Sequence, residues 1–222
     1  MADVKVDIKV NSPRVTKFTV SGKTLKEAQK KLDSRDEWGL YDATRNPKQS
    51  AKSDKDGNVA SVTMVLNPVI ELPQWSGYSS ATKEQKASWD KMVKALEAHE
   101  RKHHDIQVDC ADDLEKQIKN AKTLDAKALN KMISDQQKAC QKKQDAYDTS
   151  SGHGAKEGVE LDLDARRTPP PSLALPSPES VPIAILVNQR ARRSPDNMIC
   201  RMVIGSISPG HPVDFTAASD GW

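Results

Sequence analysis

The chain has 222 residues, with 34 basic and 31 acidic side chains and a formal net charge of +3 at pH 7. This length is enough for one domain with a buried core. No apolar run approaches the roughly 18 to 20 residues of a membrane-spanning helix, and charges this evenly balanced argue against a nucleic-acid-binding surface.

The first half, residues 1–80, shows the alternation of apolar and polar residues that is typical of half-buried strands. The predicted strands cover residues 4–10, 15–20, 59–66 and 69–72. A short amphipathic helix is predicted around Leu25–Leu32, and residues 44–58 are predicted to form a polar loop. Pro68 and Pro73 mark edges of the predicted sheet, where no ladder donor is available. This half therefore predicts an α+β arrangement with a small antiparallel sheet.

The second half, residues 81–160, is predicted to be an antiparallel helical hairpin. Thr82 and Gln85 form a capping box that starts the first helix, and residues 120–123 interrupt the helical pattern. Apolar and histidine side chains at helical spacing define the inward faces: Trp89, Met92, Val93, Leu96, His99, His103, Cys110, Leu114 and Ile118, then Leu129, Met132, Ile133, Gln136, Cys140 and Tyr147. Since short connections make neighbouring helices antiparallel, the two faces pack together.

Two cysteines lie level with each other in this hairpin. Cys110 and Cys140 are equidistant from residue 125, in the predicted turn, and both lie on inward faces. A disulfide between them is therefore expected, and with it an oxidising compartment; the alternative is a pair of small buried thiols. The same register brings the residues that follow Tyr147 close to His99 and His103.

Residues 99–103 match a known metal-binding sequence pattern. They read His-Glu-Arg-Lys-His, the HExxH pattern, which places two imidazoles at i and i+4 on one helix face with a carboxylate beside them. This spacing suits one zinc ion. With Zn²⁺ bound by His99 and His103, Glu100 is predicted to act as the general base on a zinc-bound water.

A catalytic zinc usually has three protein ligands and a water. His153 is the preferred third ligand, since His104 is rotated by about 100° from His103 and should face elsewhere. Asp148 is the competing candidate, because a carboxylate is an equally good ligand and lies nearer the end of the second helix. The weaker candidates are Glu160 and Asp109.

The composition changes near residue 160. Every lysine lies at or before Lys156, and most of the 13 prolines lie in residues 161–222. This Pro/Arg-rich tail is predicted to be disordered; a late change of reading frame is a second explanation. The tail also contains a short apolar run, Ile183–Val187, and an unpaired cysteine, Cys200.

Four separated segments resemble a bacterial family of predicted secreted zinc-dependent proteases, catalogued as a domain of unknown function. They are residues 18–22 with the helix that follows, residues 70–75, residues 89–103, and Tyr147–Asp148 with His153–Gly154. The paired helix cysteines also look like those of the family. The resemblance implies a zincin-like peptidase and an extracytoplasmic location, periplasmic or secreted, although the chain as given begins without a recognisable signal peptide.

The predicted function is therefore zinc-dependent hydrolysis of a peptide or protein substrate, with no nucleic acid partner and no membrane insertion. Fold analogy suggests that Val62–Leu66 offers a strand edge to an extended substrate. The first alternative is a non-catalytic module, with or without zinc, that holds a partner protein. The second, an adaptor that binds through lysine-rich helices, is disfavoured because acidic residues are interleaved throughout.

Overall fold

The computed structural model describes residues 4–44 and 47–164, and these residues form three α-helices and two three-stranded sheets. The strands are β1 (Lys5–Val10), β2 (Arg14–Val20), β3 (Leu40–Asp42), β4 (Lys48–Ser53), β5 (Val59–Leu66) and β6 (Val69–Trp75). The helices are α1 (Leu25–Asp33), α2 (Lys83–Asn120) and α3 (Ala126–Ser151). The predicted α+β class is confirmed.

The prediction of one antiparallel sheet is wrong. The strand orders are β1-β5-β4 and β2-β6-β3, and β1 runs parallel to β5 as β2 does to β6. The segment β1–β2 thus runs alongside β5–β6 in the same direction, and both segments break at the same level. At the break, Asn11 Nδ2 donates to Asn67 Oδ1 at 2.8 Å and the Arg14 amide donates to the Pro68 carbonyl at 3.0 Å. A parallel pairing requires a long crossover, and strand periodicity alone does not reveal it.

Strand β4 lies inside residues 44–58, which were predicted to be loop. Its pairing with β5 buries only Ala51, so the strand has no apolar alternation that a sequence pattern could detect. Strand β5 lies at the centre of its sheet, with β1 on one side and β4 on the other. The prediction that Val62–Leu66 offers an open edge to a substrate is therefore wrong.

Strand β6 continues past Leu72, where the predicted strand ends, so Pro73 lies within it. The strand continues to Trp75 because β2 pairs along its whole length, with Phe18 opposite Pro73. Strand β3 pairs only with Val69–Glu71. Among the described residues Pro73 therefore has a neighbouring strand on one side only, where a proline is tolerated in a sheet.

Two hydrophobic cores lie along the long helix α2. The first packs β2, β3, β6 and α1 against its N-terminal part, and its buried members are Val20, Leu25, Ala28, Leu32, Tyr41, Ala43, Ile70, Leu72, Trp75, Trp89, Met92, Leu96 and Val159. The second packs β4 and β5 against its C-terminal part and α3, with Ala51, Val59, Val62, Met64, Leu66, Leu114, Ile118, Leu124, Leu129 and Ile133 buried. The stretch of α2 between Leu96 and Leu114 contributes no buried side chain to either core.

The hairpin is confirmed. Thr82 and Gln85 form the predicted capping box of α2, and Asp125 caps α3 after a connection over residues 121–125. The predicted disulfide joins Cys110 and Cys140, whose Cα atoms are 5.8 Å apart. No helix in the described ranges is both long enough and apolar enough to cross a membrane.

The chain packs further than residue 160. Leu161 contacts the first core, and the Asp162 amide donates to Ser88 Oγ at 2.8 Å. The start of the predicted tail is thus part of the folded body. The rest of the tail, including Ile183–Val187 and Cys200, lies outside the described residues.

Candidate metal centre

The middle of α2 buries polar side chains. His99, Glu100 and His103 are 3%, 4% and 1% exposed, and the spacing of four residues places both imidazoles on the side of α2 that faces α3. The antiparallel register brings Asp148, 1% exposed, from the last turns of α3 to the same level. A helix pair therefore positions all four groups, with each backbone fixed by its own hydrogen bonds.

Three atoms of this cluster converge. His103 Nε2 lies 3.3 Å from His99 Nε2 and 3.1 Å from Asp148 Oδ1, and His99 Nε2 lies 3.2 Å from the same oxygen. They form a nearly equilateral triangle, and together they are the group of side chains in the described residues that could hold a metal ion.

Gln144 fixes the orientation and protonation of His103. Its amide nitrogen donates to the His103 carbonyl at 3.0 Å, and its Oε1 lies 2.5 Å from His103 Nδ1. Because the backbone carbonyl only accepts, the Gln144 nitrogen must face it, and Oε1 must accept from the ring. The proton of a neutral His103 is therefore on Nδ1, and its Nε2 lone pair points into the cluster.

Glu157 does the same for His99. Its Oε2 lies 2.8 Å from His99 Nδ1, and the Tyr147 hydroxyl donates to the same carboxylate at 2.9 Å. The Tyr147 ring also stacks on His99, with ring centroids 4.9 Å apart. Since a carboxylate accepts, the proton of His99 is held on Nδ1, and its Nε2 also presents a lone pair to the cluster.

Glu157 reaches this position through the segment that follows α3. After Gly152, Gly154 approaches the His99 ring, and Gly158 approaches Ala95. We call residues 152–164 the return segment, because they run back along α2 from His99 towards its N-terminus. Gly154 and Gly158 have positive φ angles of +82° and +89°, which glycine adopts without strain.

The electrostatics of the cluster require a positive charge at its centre. Three buried acceptor atoms that point at one another repel unless a proton or a cation lies between them. One proton satisfies one edge of the triangle, whereas a metal ion contacts all three atoms. A tetrahedral ion with bonds of 2.0 to 2.1 Å sets its ligand atoms roughly 3.3 Å apart, close to the separations observed here.

The pKa values of the histidines reflect the same crowding. Burial lowers the pKa of His99, but hydrogen bonds with Asp148 and Glu157 outweigh burial and leave it above the ordinary value. Burial likewise lowers the pKa of His103, and Asp148, Gln144 and Glu100 raise it overall. Burial and Glu157 together raise the pKa of Tyr147. The raised pKa values of the two histidines thus show that their surroundings favour positive charge in the cluster.

Glu100 lies beside the triangle and is not one of the three converging groups. Its side chain packs against Gly39, the residue just before β3. A Cβ at Gly39 would lie 2.9 Å from Glu100 Oε1 and 2.9 Å from the Leu96 side chain. Glycine at residue 39 therefore leaves the space that the buried carboxylate occupies.

The other candidate ligands are not members of this triangle. His153 Nδ1 is 3.8 Å from Asp148 Oδ1, and its side chain is 35% exposed. His104 faces the sheet, where its Nδ1 lies 3.3 Å from the Tyr41 hydroxyl, and burial lowers its pKa. Glu160 and Asp109 are exposed. The structure therefore brings His99, His103 and Asp148 together, with His153 next to them.

Sequence reasoning missed Gln144 and Glu157. Gln144 lies on the buried stripe of α3, four residues before Asp148, so the hairpin register contained the signal that places it near His103. Glu157 follows the helix in a single 3₁₀ turn, Ala155–Glu157, where no periodicity indicates the direction of a side chain.

Comparison with known proteins places the chain in a family. No curated protein and no solved structure matches it. The family model described as "Bacterial protein of unknown function (DUF922)" matches residues 15–154, which is more than half of the chain and includes every residue of the triangle. The chain therefore belongs to the bacterial family DUF922.

Proposed function

We propose that this protein is a zinc-dependent metallopeptidase in which His99, His103 and Asp148 bind the metal and Glu100 acts as the general base. The observation that most directly supports this proposal is the triangle of buried acceptor atoms 3.1 to 3.3 Å apart. Each histidine is also held by a hydrogen bond at its other ring nitrogen. Asp148, and not the initially preferred His153, is the third ligand in this proposal.

The donor set favours zinc. Two imidazole nitrogens and one carboxylate oxygen form a catalytic zinc set, which leaves a fourth position for water or substrate. Magnesium and calcium prefer oxygen ligands. The hydrogen bonds to Nδ1 of both histidines match the way in which metal-bound imidazoles are usually oriented.

The chemistry follows from the positions of the side chains. A bound zinc ion supplies a Lewis acid that polarises the substrate carbonyl and lowers the pKa of water. Glu100, on the residue after His99, accepts the proton from the attacking water and delivers it to the leaving amine. The space beside Gly39, where a Cβ would collide with Glu100 Oε1, accommodates this carboxylate.

Glu100 also distinguishes the enzyme from a non-catalytic metal module. A module that only stores a metal needs the three ligands and their hydrogen-bond partners. It has no chemical use for a further carboxylate, and Glu100, 4% exposed, is such a group. A peptidase needs that group as its base.

The proposal extends to where the protein acts. The disulfide between Cys110 and Cys140 is consistent with an oxidising compartment, so we infer a periplasmic or secreted peptidase. Its partner is then a peptide or protein substrate that is also extracytoplasmic.

The test compares the full chain with Glu100→Gln and His99→Ala. Elemental mass spectrometry measures zinc per protein, and a fluorogenic peptide library measures hydrolysis. We expect one zinc in the wild type and in Glu100→Gln, none in His99→Ala, and hydrolysis only in the wild type. Hydrolysis that persists in Glu100→Gln, or a wild type without zinc after zinc is supplied, would contradict the proposal.

A further inference from the structure

His153 has an uncommon backbone conformation. Its φ angle is +56°, and among the described residues it is the non-glycine residue with positive φ. It stands between Gly152 and Gly154, whose φ angles are +63° and +82°. A glycine at residue 153 would adopt this conformation without strain, as its neighbours do, whereas a residue with a Cβ has a free-energy cost.

The turn is fixed independently of the imidazole. The His153 amide donates to the Asp148 carbonyl at 2.8 Å, and the Gly154 amide donates to Ser151 Oγ at 3.2 Å. These backbone bonds close the end of α3 whatever side chain residue 153 carries. Helix capping therefore does not explain why an imidazole occupies a position that favours glycine.

The imidazole lies at the edge of the ligand triangle. Its Nδ1 is 3.8 Å from Asp148 Oδ1, too far for a direct hydrogen bond. Its side chain is 35% exposed, while the three converging groups are 1% to 3% exposed. His153 is thus partly open to solvent, while its Nδ1, the nitrogen nearest the triangle, is buried.

We propose that His153 is a catalytic residue that donates a hydrogen bond to the substrate carbonyl oxygen as negative charge develops there; this inference rests on the proposed peptidase function. An oxygen at the fourth corner of a tetrahedral site is roughly 3.3 Å from Asp148 Oδ1. A nitrogen that donates a hydrogen bond to this oxygen lies about 2.9 Å from it. That nitrogen can at the same time lie 3.8 Å from Asp148 Oδ1, as His153 Nδ1 does. The observed distance therefore allows the imidazole to reach the reacting oxygen without being a metal ligand.

The step needs no further reagent. Water adds to the carbonyl carbon, its proton passes to Glu100, and the carbonyl π electrons move to the oxygen. That electron pair then re-forms the C=O bond as the C–N bond breaks, and Glu100 returns the proton to the leaving amine nitrogen. His153 keeps its proton throughout and contributes only the hydrogen bond, which is strongest when the oxygen is negative.

The test uses the zinc-loaded full chain with His153→Gly and His153→Ala, and His104→Ala as a matched control, since His104 faces the sheet. We expect zinc content to stay at the wild-type level in all variants. The kcat for a fluorogenic peptide should fall by about 10²- to 10³-fold in both His153 variants, with KM little changed. His153→Gly should melt no lower than the wild type, because glycine relieves the backbone strain.

A second readout is independent of turnover. A phosphinic peptide, whose anionic oxygen occupies the place of the reacting oxygen, should bind the zinc-loaded wild type and His104→Ala equally well by calorimetry. It should bind the two His153 variants about 10²-fold more weakly.

Each outcome discriminates. Loss of zinc in both His153 variants would make His153 a ligand and overturn the inference, as would a drop in melting temperature in His153→Gly that accounts for the lost activity. Unchanged kcat and phosphinate affinity would overturn it while the peptidase proposal stands. A zinc-loaded wild type that neither hydrolyses peptides nor binds the phosphinate would refute the proposed function, and this inference with it.

Discussion

The middle of α2 differs from its two ends in what it buries. At the ends, Trp89, Met92 and Leu96 join one core and Leu114 and Ile118 join the other. In between, four polar side chains are buried, namely His99, Glu100, His103 and Gln107. The facing residues of α3 change at the same level, from Leu129 and Ile133 to Gln144, Asp148 and Ser151.

The difference predicts that stability and metal binding depend on different parts of one helix. Burial of apolar surface stabilises the ends whatever ion is present. The middle has little apolar surface to bury, and its acceptors repel unless a cation joins them. We therefore expect the ends to determine whether the chain folds and the middle to determine whether it responds to metal. The changes below test this division.

The largest effect on the free energy of unfolding should come from zinc binding at the middle of α2. With free zinc a thousandfold above its Kd, binding adds about 4 kcal/mol to the free energy of unfolding. Chemical denaturation of the wild type with zinc and with a chelator measures this difference. His103→Ala should show none of it, and an equal zinc effect in that variant would place the metal elsewhere.

Removal of the disulfide tests the boundary between the two regions. Cys110 and Cys140 are separated by 30 residues, and loop closure over that length is worth about 3.6 kcal/mol. Replacing both cysteines with serine should lower the free energy of unfolding by about this amount. It should also weaken zinc binding, because the polar end of α3 then loses its anchor to α2.

The control for the disulfide variant is Cys200→Ser, which replaces a cysteine outside the described residues. Denaturation curves measure stability, and a competing chelator measures zinc affinity. Zinc affinity that is unchanged without the disulfide would show that the polar end holds its geometry alone.

A cavity in an apolar end should affect stability without affecting metal. Leu129 is 2% exposed in the second core, and leucine-to-alanine changes at such positions typically cost about 3 kcal/mol. Leu129→Ala should therefore unfold at lower denaturant concentration, while the folded protein keeps one zinc with unchanged affinity. Loss of zinc from the folded variant would contradict the division between ends and middle.

The smallest effect should come from the groups that orient the ligands. Glu157→Gln removes the negative charge of the acceptor that holds His99, and Gln144→Leu removes the acceptor that holds His103. Such losses reduce metal affinity by about 10- to 100-fold. Glu160→Gln, an exposed change in the return segment, is the matched control. Competition titrations with zinc measure all three, and equal affinities would remove the role assigned to Glu157 and Gln144.

The hairpin was predictable because each helix carries a continuous stripe and a single turn sets the register. That register placed Cys110 against Cys140 and brought the residues after Tyr147 to His99. The parallel pairing of β1 with β5 was not predictable, since partner and direction depend on contacts that are distant in sequence. The role of Glu157 could not be predicted either, because its position depends on how the return segment packs in three dimensions.

The order of the ligands along the chain also sets when the site can form. Asp148 follows His103 by 45 residues, and Glu157 follows His99 by 58. During synthesis the two histidines emerge long before the groups that complete and orient the site. Under the proposed extracytoplasmic location, a chain exported unfolded would carry no finished site across the membrane, and a metal could bind only after α3 docks on the far side.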